Sequence, residues 1–101
     1  MRIRVEDAED RGRYEAFADD DRAGYLAYRR ETGMLTLDHT DGRERFEGEG
    51  VGSALVVRAL DDAHDGGLAV LPFCPFANDY ILRHPDYAEL VPESERAKFG
   101  L

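Results

Sequence analysis

Residues 47–71 read Glu47-Gly48-Glu49-Gly50-Val51-Gly52-Ser53-Ala54-Leu55-Val56-Val57-Arg58-Ala59-Leu60-Asp61-Asp62-Ala63-His64-Asp65-Gly66-Gly67-Leu68-Ala69-Val70-Leu71. Three glycines alternate and open directly into a stretch with helical periodicity. Leu55, Val56, Ala59, Leu60 and Ala63 fall on one stripe, with Arg58, Asp61, Asp62 and Asp65 away from it. This pattern predicts a helix over Ser53 to Asp65, stopped by Gly66-Gly67, which supply the left-handed geometry favoured just past a helix end. Leu68 to Leu71 is then a short, wholly apolar run, the pattern of a strand covered on both faces and often paired in parallel. Turn, helix and buried strand in this order predict an α/β domain.

Working outward, Arg13 to Ala18 alternates as a strand, with Tyr14, Ala16 and Ala18 opposite Glu15 and Phe17. Asp19-Asp20-Asp21 gives an acidic turn, and Ala23 to Arg30 is the antiparallel partner. A turn at Thr32-Gly33 leads into Met34 to His39, where strict alternation puts Leu35, Leu37 and His39 on one face. These segments predict a three-stranded antiparallel meander, joined to helix-strand-helix by a charged connection over Thr40 to Glu47. Pro72 closes the apolar strand, and Cys74-Pro75 opens a second helix with proline at its favoured first position, so that Cys74 falls at or beside the N-cap. That helix must end near His84, because Pro85 disfavours helical geometry in the residue before it. Asp86 to Leu90 and Glu93 to Lys98 suit short terminal helices, and residues 92–101 form a helical tail. The polar residues 1–11 are read as a loose leader.

The chain has 101 residues, the common size of one domain, enough to bury about two-thirds of its unfolded surface. No repeat or linker divides it, so residues 1–101 are taken as one unit, a monomer or weak homodimer. The single cysteine excludes an internal disulfide, and three scattered histidines lack metal-ligand spacing, so no metal is expected. The beginning of the chain lacks the apolar run of a signal peptide and no stretch is long enough to span a bilayer, which predicts a cytoplasmic protein. With 13 basic and 22 acidic side chains, the formal charge of −9 opposes nucleic acid and anionic lipid surfaces. It also opposes a phosphate ligand at long range, so anion binding must rest on close backbone contacts.

The glycine-rich turn can supply those contacts. Glycine permits unusual backbone angles and close ligand approach, and the first free N–H groups of a helix carry positive partial charge. The same residues also suit a plain flexible loop. No Gly-Lys-Ser/Thr follows for a P-loop, and no apolar strand immediately precedes the turn as a dinucleotide fold needs. Cys74, at a helix N-terminus, feels the positive end of the dipole, which favours thiolate and nucleophilic character; the alternative is a small buried hydrophobe. His39 suits a base or hydrogen-bond partner as well as an ordinary strand end. Tyr80 suits a proton donor as well as a packing aromatic.

Taken in order, Gly24-Tyr25-Leu26-Ala27-Tyr28-Arg29, Leu37-Asp38-His39-Thr40, Glu47 to Val56, Cys74-Pro75-Phe76 and Arg83-His84-Pro85-Asp86-Tyr87 form a known pattern. The chain resembles the small YjdJ-type branch of the GCN5-related N-acetyltransferases over about residues 12–91. The resemblance implies a mixed sheet with the pyrophosphate of acetyl-CoA held at the turn before the long helix. Gly48, Glu49, Gly50, Val51, Gly52 and Ser53 would then line that site. It further implies acetyl transfer to an amine, on a small molecule or a protein, with Cys74 as the catalytic thiol or nucleophile. His39 matches the branch's His-Thr pair, and Tyr80 has the approximate place of the general-acid tyrosine in larger relatives. Where the superfamily favours Arg or Gln at the start of the glycine motif, Glu47 stands here. Two other readings remain open: a module that binds CoA or acyl-CoA without transfer, and an interaction protein with a vestigial site.

Overall fold

The computed structural model describes residues 2–101. Its order is β1 (Ile3–Ala8), β2 (Arg13–Ala18), β3 (Asp21–Glu31), β4 (Met34–Gly42), α1 (Val51–Gly66), β5 (Ala69–Pro72), α2 (Pro75–Arg83) and α3 (Glu93–Arg96), with short 3-10 turns between. The five strands form one sheet in the order β1-β2-β3-β4-β5. The first four are antiparallel neighbours, and β5 pairs parallel to β4, with Leu35 opposite Val70. The sheet is therefore mixed, and the apolar run after the long helix is the parallel strand that its composition predicts.

The meander has a fourth member where the sequence suggests a loose leader. β1 lies against β2, with Val5 opposite Ala16 and Asp7 opposite Tyr14. It turns Ile3, Val5 and Asp7 to the helix side, and the carboxylate at that third inward position accepts a hydrogen bond from Tyr28 Oη at 2.6 Å. A strand whose last inward residue is an aspartate does not look like a strand until its partner is known.

One face of the sheet carries α1. Leu55, Val56, Ala59, Leu60 and Ala63 pack with Tyr14, Ala16, Leu26, Leu35 and Leu37, all of them buried. Complete burial of a leucine-sized side chain is worth about 1.5–3 kcal/mol, so this contact orients the helix firmly. Polar ties fix its direction. Tyr14 Oη donates to Asp62 at 2.9 Å, and Arg58 donates to the Val5 carbonyl at 2.8 Å and to Asp62 at 3.0 Å. Burial first, then the bond to Asp62, pushes the Tyr14 phenol well above its ordinary value. On the opposite face Glu15 is buried among Arg13, Arg11 and Arg22, with Arg13 at 2.8 Å. Burial pushes its carboxyl up, but the guanidiniums of Arg13 and Arg11 outweigh that and hold it below the usual value.

A bulge in β4 decides where the site lies. Ala27 is opposite His39 but Tyr28 is opposite Leu37, so Asp38 is an extra residue in the strand. The extra residue inverts the alternation. Leu37 faces the helices with Tyr28, whereas His39 faces the other way with Ala27, contrary to the shared face that strict alternation predicts. Thr40, opposite Leu26, takes the inward place. β4 also runs on to Gly42, through residues that the sequence assigns to the connection.

Candidate functional site

The chain leaves β4 at Gly42, makes a short 3-10 turn over Glu44–Phe46 that buries Phe46, and enters the glycine-rich segment. Gly48 and Gly50 take φ of 83° and 81°, and apart from each glycine and its two chain neighbours no described atom lies within 4 Å of where a Cβ would stand. Their requirement is conformational: the left-handed region is costly for any residue with a Cβ. Gly50 is the N-cap of α1, which begins at Val51, two residues earlier than the periodicity predicts, because buried Val51 anchors the first turn. The amide of Ala54 is bonded to the Gly50 carbonyl at 3.0 Å. The amides of Val51, Gly52 and Ser53 precede that bond and have no helical carbonyl to reach. Among the described residues no side chain caps them, and the first turn holds no acidic residue.

These residues enclose an open cavity of about 490 Å³, lined by Gly48, Gly50, Val51, Gly52 and Ser53 together with Thr40, Arg43, Glu44, Phe46, Glu47 and Phe76 among others. Five of the six turn residues named from sequence line it, and Glu49 does not. Phe76 forms one wall, and a Cβ on Gly52 would fall 2.7 Å from its ring. Glycine at this helical position is thus what lets the ring close over α1. Among the described residues Arg43 is the one cation of the lining, and no ion pair involves it. The sequence gives Arg43 no motif to mark it; its place emerges only once the connection is folded.

Cys74 caps α2. Its amide donates to the Leu37 carbonyl at 2.8 Å, and its own carbonyl accepts from Asn78 at 2.9 Å, so the residue bridges the middle of β4 and the start of α2. Its side chain is 2 % exposed and does not line the cavity. Its Sγ lies 2.8 Å from Thr40 Oγ1, a contact in which either atom can donate. The sulfur therefore sits next to a residue that does line the cavity. His39 and Tyr80 are placed elsewhere. His39 is exposed on the far face of the sheet, its ring 6.0 Å from that of Tyr25. Tyr80 lies further along α2, stacked on His84 with centroids 4.0 Å apart and away from the cavity lining. Of the His39-Thr40 pair, the second residue meets the cysteine. Among the described residues no group of three or more His, Cys, Asp or Glu is disposed to hold a metal ion, and no helix is long and apolar enough to cross a membrane.

The family model described as GCN5-related N-acetyl-transferase matches residues 13–90, from β2 to the 3-10 turn after α2. The chain belongs to the GCN5-related N-acetyltransferase family. No curated protein matches it. The matched span of this acetyltransferase-family domain contains the whole cavity lining and Cys74, and leaves out β1 and α3.

The donor set suits acetyl-CoA, the acyl donor that the family implies. A diphosphate needs several N–H donors at close range, and the first turn of α1 presents three amides without side-chain caps beside Arg43. Phe76 adds an apolar wall against which the pantetheine arm can lie. Glu44 and Glu47 line the same cavity and would act against an anion there, so the amides and Arg43 would have to outweigh two carboxylates.

Proposed function

We propose that this chain is an acetyl-CoA-dependent N-acetyltransferase, acting in the cytoplasm as one unit over residues 1–101, a monomer or weak homodimer. It moves the acetyl group to an amine on a small molecule or a protein. The observation that carries the reading is the junction of an uncapped amide cradle with a thiol. The cavity bordered by Gly48, Gly50, Val51, Gly52 and Ser53 is also bordered by Thr40, whose hydroxyl is 2.8 Å from the Cys74 sulfur. An uncapped helix end suited to an anion and, on the same cavity, a hydroxyl in contact with a thiol behind it are two parts that acyl transfer from a phosphate-bearing thioester can use.

In this reading the amides of α1 and Arg43 hold the diphosphate, and Phe76 confines the arm that carries the thioester. The amine nitrogen forms the new bond to the acetyl carbon, the carbon–sulfur bond breaks, and CoA leaves as the thiol with the proton that the nitrogen gives up. Cys74 serves either as the nucleophile that first accepts the acetyl group or as a thiol that assists direct attack. His39 and Tyr80, the other two catalytic candidates, stand outside the cavity lining, which gives their roles less support.

A second reading, a CoA-binding module without transfer, is favoured by the burial of the Cys74 side chain and by the two carboxylates in the cavity. Titration calorimetry with acetyl-CoA, followed by incubation with a panel of amines and assay of released CoA, separates the two. Saturable binding with amine-dependent CoA release is the expected result. Binding without release under any amine favours the module, and absence of binding overturns both.

A further inference from the structure

The relation between Thr40 and Cys74 goes beyond the choice of a catalytic thiol, and its meaning for the reaction rests on the acetyl-CoA reading of the cavity. Both residues are held by main-chain pairing, Thr40 opposite Leu26 in the sheet and Cys74 by its amide on the Leu37 carbonyl, so their distance is set by the fold. Thr40 is partly exposed and borders the cavity; Cys74 is 2 % exposed and lies behind it. A nucleophilic sulfur must reach the acetyl carbon itself, and a sulfur in this position meets the threonine first.

We propose that Thr40 is the catalytic side chain of the pair, donating a hydrogen bond from its hydroxyl to the thioester carbonyl oxygen, and that Cys74 is a positioning residue that acts through it. In this arrangement the Cys74 S–H donates to Thr40 Oγ1. That occupies one acceptor site of the hydroxyl and turns its proton toward the cavity, where negative charge develops on the carbonyl oxygen as the amine attacks. The carbon–nitrogen bond forms, the carbon–sulfur bond of the donor breaks, and the proton lost by the nitrogen passes through solvent to the departing sulfur. Neither Thr40 nor Cys74 gains or loses a covalent bond to the acetyl group.

The test combines three variants with a measurement that does not depend on turnover. Thr40→Val keeps the shape and deletes the donor; kcat should fall about 100-fold, the typical effect of one lost oxyanion donor, with acetyl-CoA affinity and melting temperature unchanged. Thr40→Ser should restore most of the rate. Cys74→Ser, whose hydroxyl can still donate to Thr40, should lose less than about tenfold, far less than the replacement of a sulfur nucleophile by a hydroxyl costs. Intact-protein mass measured under denaturing conditions after exposure to acetyl-CoA without acceptor should show no added acetyl group. An acetyl group retained on Cys74, or a Thr40→Val enzyme as fast as wild type, overturns the assignment while leaving the acetyltransferase reading in place. A wild-type protein to which acetyl-CoA does not bind in calorimetry overturns both.

Discussion

At the scale of single residues, the cavity sets backbone donors and one cation against two carboxylates. The first place of the glycine motif holds Glu47, and the positive charge comes instead from Arg43, in the connection between β4 and α1. An exposed guanidinium that pairs with phosphate makes charge-assisted hydrogen bonds whose loss costs about 1.4 kcal/mol, or about tenfold in affinity. Arg43→Ala should therefore raise the acetyl-CoA dissociation constant about tenfold by calorimetry, with Arg43→Lys recovering part of the loss. Unchanged affinity would show that the amides suffice. Gly50 and Gly52 should respond in opposite ways to alanine. Gly50 has φ of 81° with open space around it, so Gly50→Ala carries a conformational cost of about 1–2 kcal/mol and should lower the melting temperature by several degrees. Gly52 lies within α1, where alanine is the better helix former by up to about 1 kcal/mol. Its new methyl would push against the partly exposed Phe76 ring, which can swing aside. Gly52→Ala should thus keep the melting temperature and lose acetyl-CoA affinity, because the displaced ring reshapes the cavity. These glycines are legible in the sequence because positive φ and close approach are local demands, whereas Arg43 carries no local sign of what it faces.

At the scale of elements, the hydrogen bond from Tyr28 to Asp7 holds β1 to the sheet from two strands away. Tyr28→Phe leaves the Asp7 carboxylate with Arg30 at 3.7 Å as its remaining charged partner, at a cost of about 1.5–3 kcal/mol for a bond to a charged acceptor. Because β1 is an edge strand, the loss should appear locally, as faster amide exchange over Ile3–Ala8 with protection in β3 and α1 little changed. Uniform acceleration across all elements would mean that β1 and the core open as one unit. The same strand marks where the sequence stops being readable. Helix limits at Gly66-Gly67, Cys74-Pro75 and Pro85 are visible because caps and prolines act on their immediate neighbours. The parallel strand after α1 is visible because its run is wholly apolar, although it is an edge strand in which only Val70 and Pro72 are buried while Ala69 and Leu71 are half-buried. β1 is hidden because its inward aspartate finds its partners, Tyr28 and Arg30, on another strand. The β4 bulge at Asp38 is hidden because no glycine marks it, and the alternation Leu35, Leu37, His39 extends past it without interruption. That one extra residue places Thr40, rather than His39, beside Cys74.

At the scale of the molecule, the charge of −9 and two buried phenols make high pH the weak side of the fold. Burial first, and then hydrogen bonds to Asp62 and Asp7, push the Tyr14 and Tyr28 phenols well above their ordinary value of 10. Above pH 10 the unfolded chain therefore releases these protons while the folded chain still holds them, and stability falls by about 1.4 kcal/mol per pH unit for each phenol. Below pH 10 both states hold them and the contribution is intact. Glu15 works in the opposite direction: its lowered value means that stability is lost as pH falls through 4.5 and below, when the unfolded chain takes up the proton first. A melting-temperature profile should thus be flat near neutrality and drop on both sides, with the alkaline limb the steeper. Two of the five tyrosines should ionise only as the fold is lost, so part of the tyrosinate absorbance should rise together with the unfolding signal. The double variant Tyr14→Phe with Tyr28→Phe should flatten the alkaline limb even though it starts from a lower melting temperature. If all five tyrosines ionised near pH 10 in a protein that stayed folded, these two phenols would have to be open to water, and the ties that orient α1 and β1 on the sheet would not hold in solution.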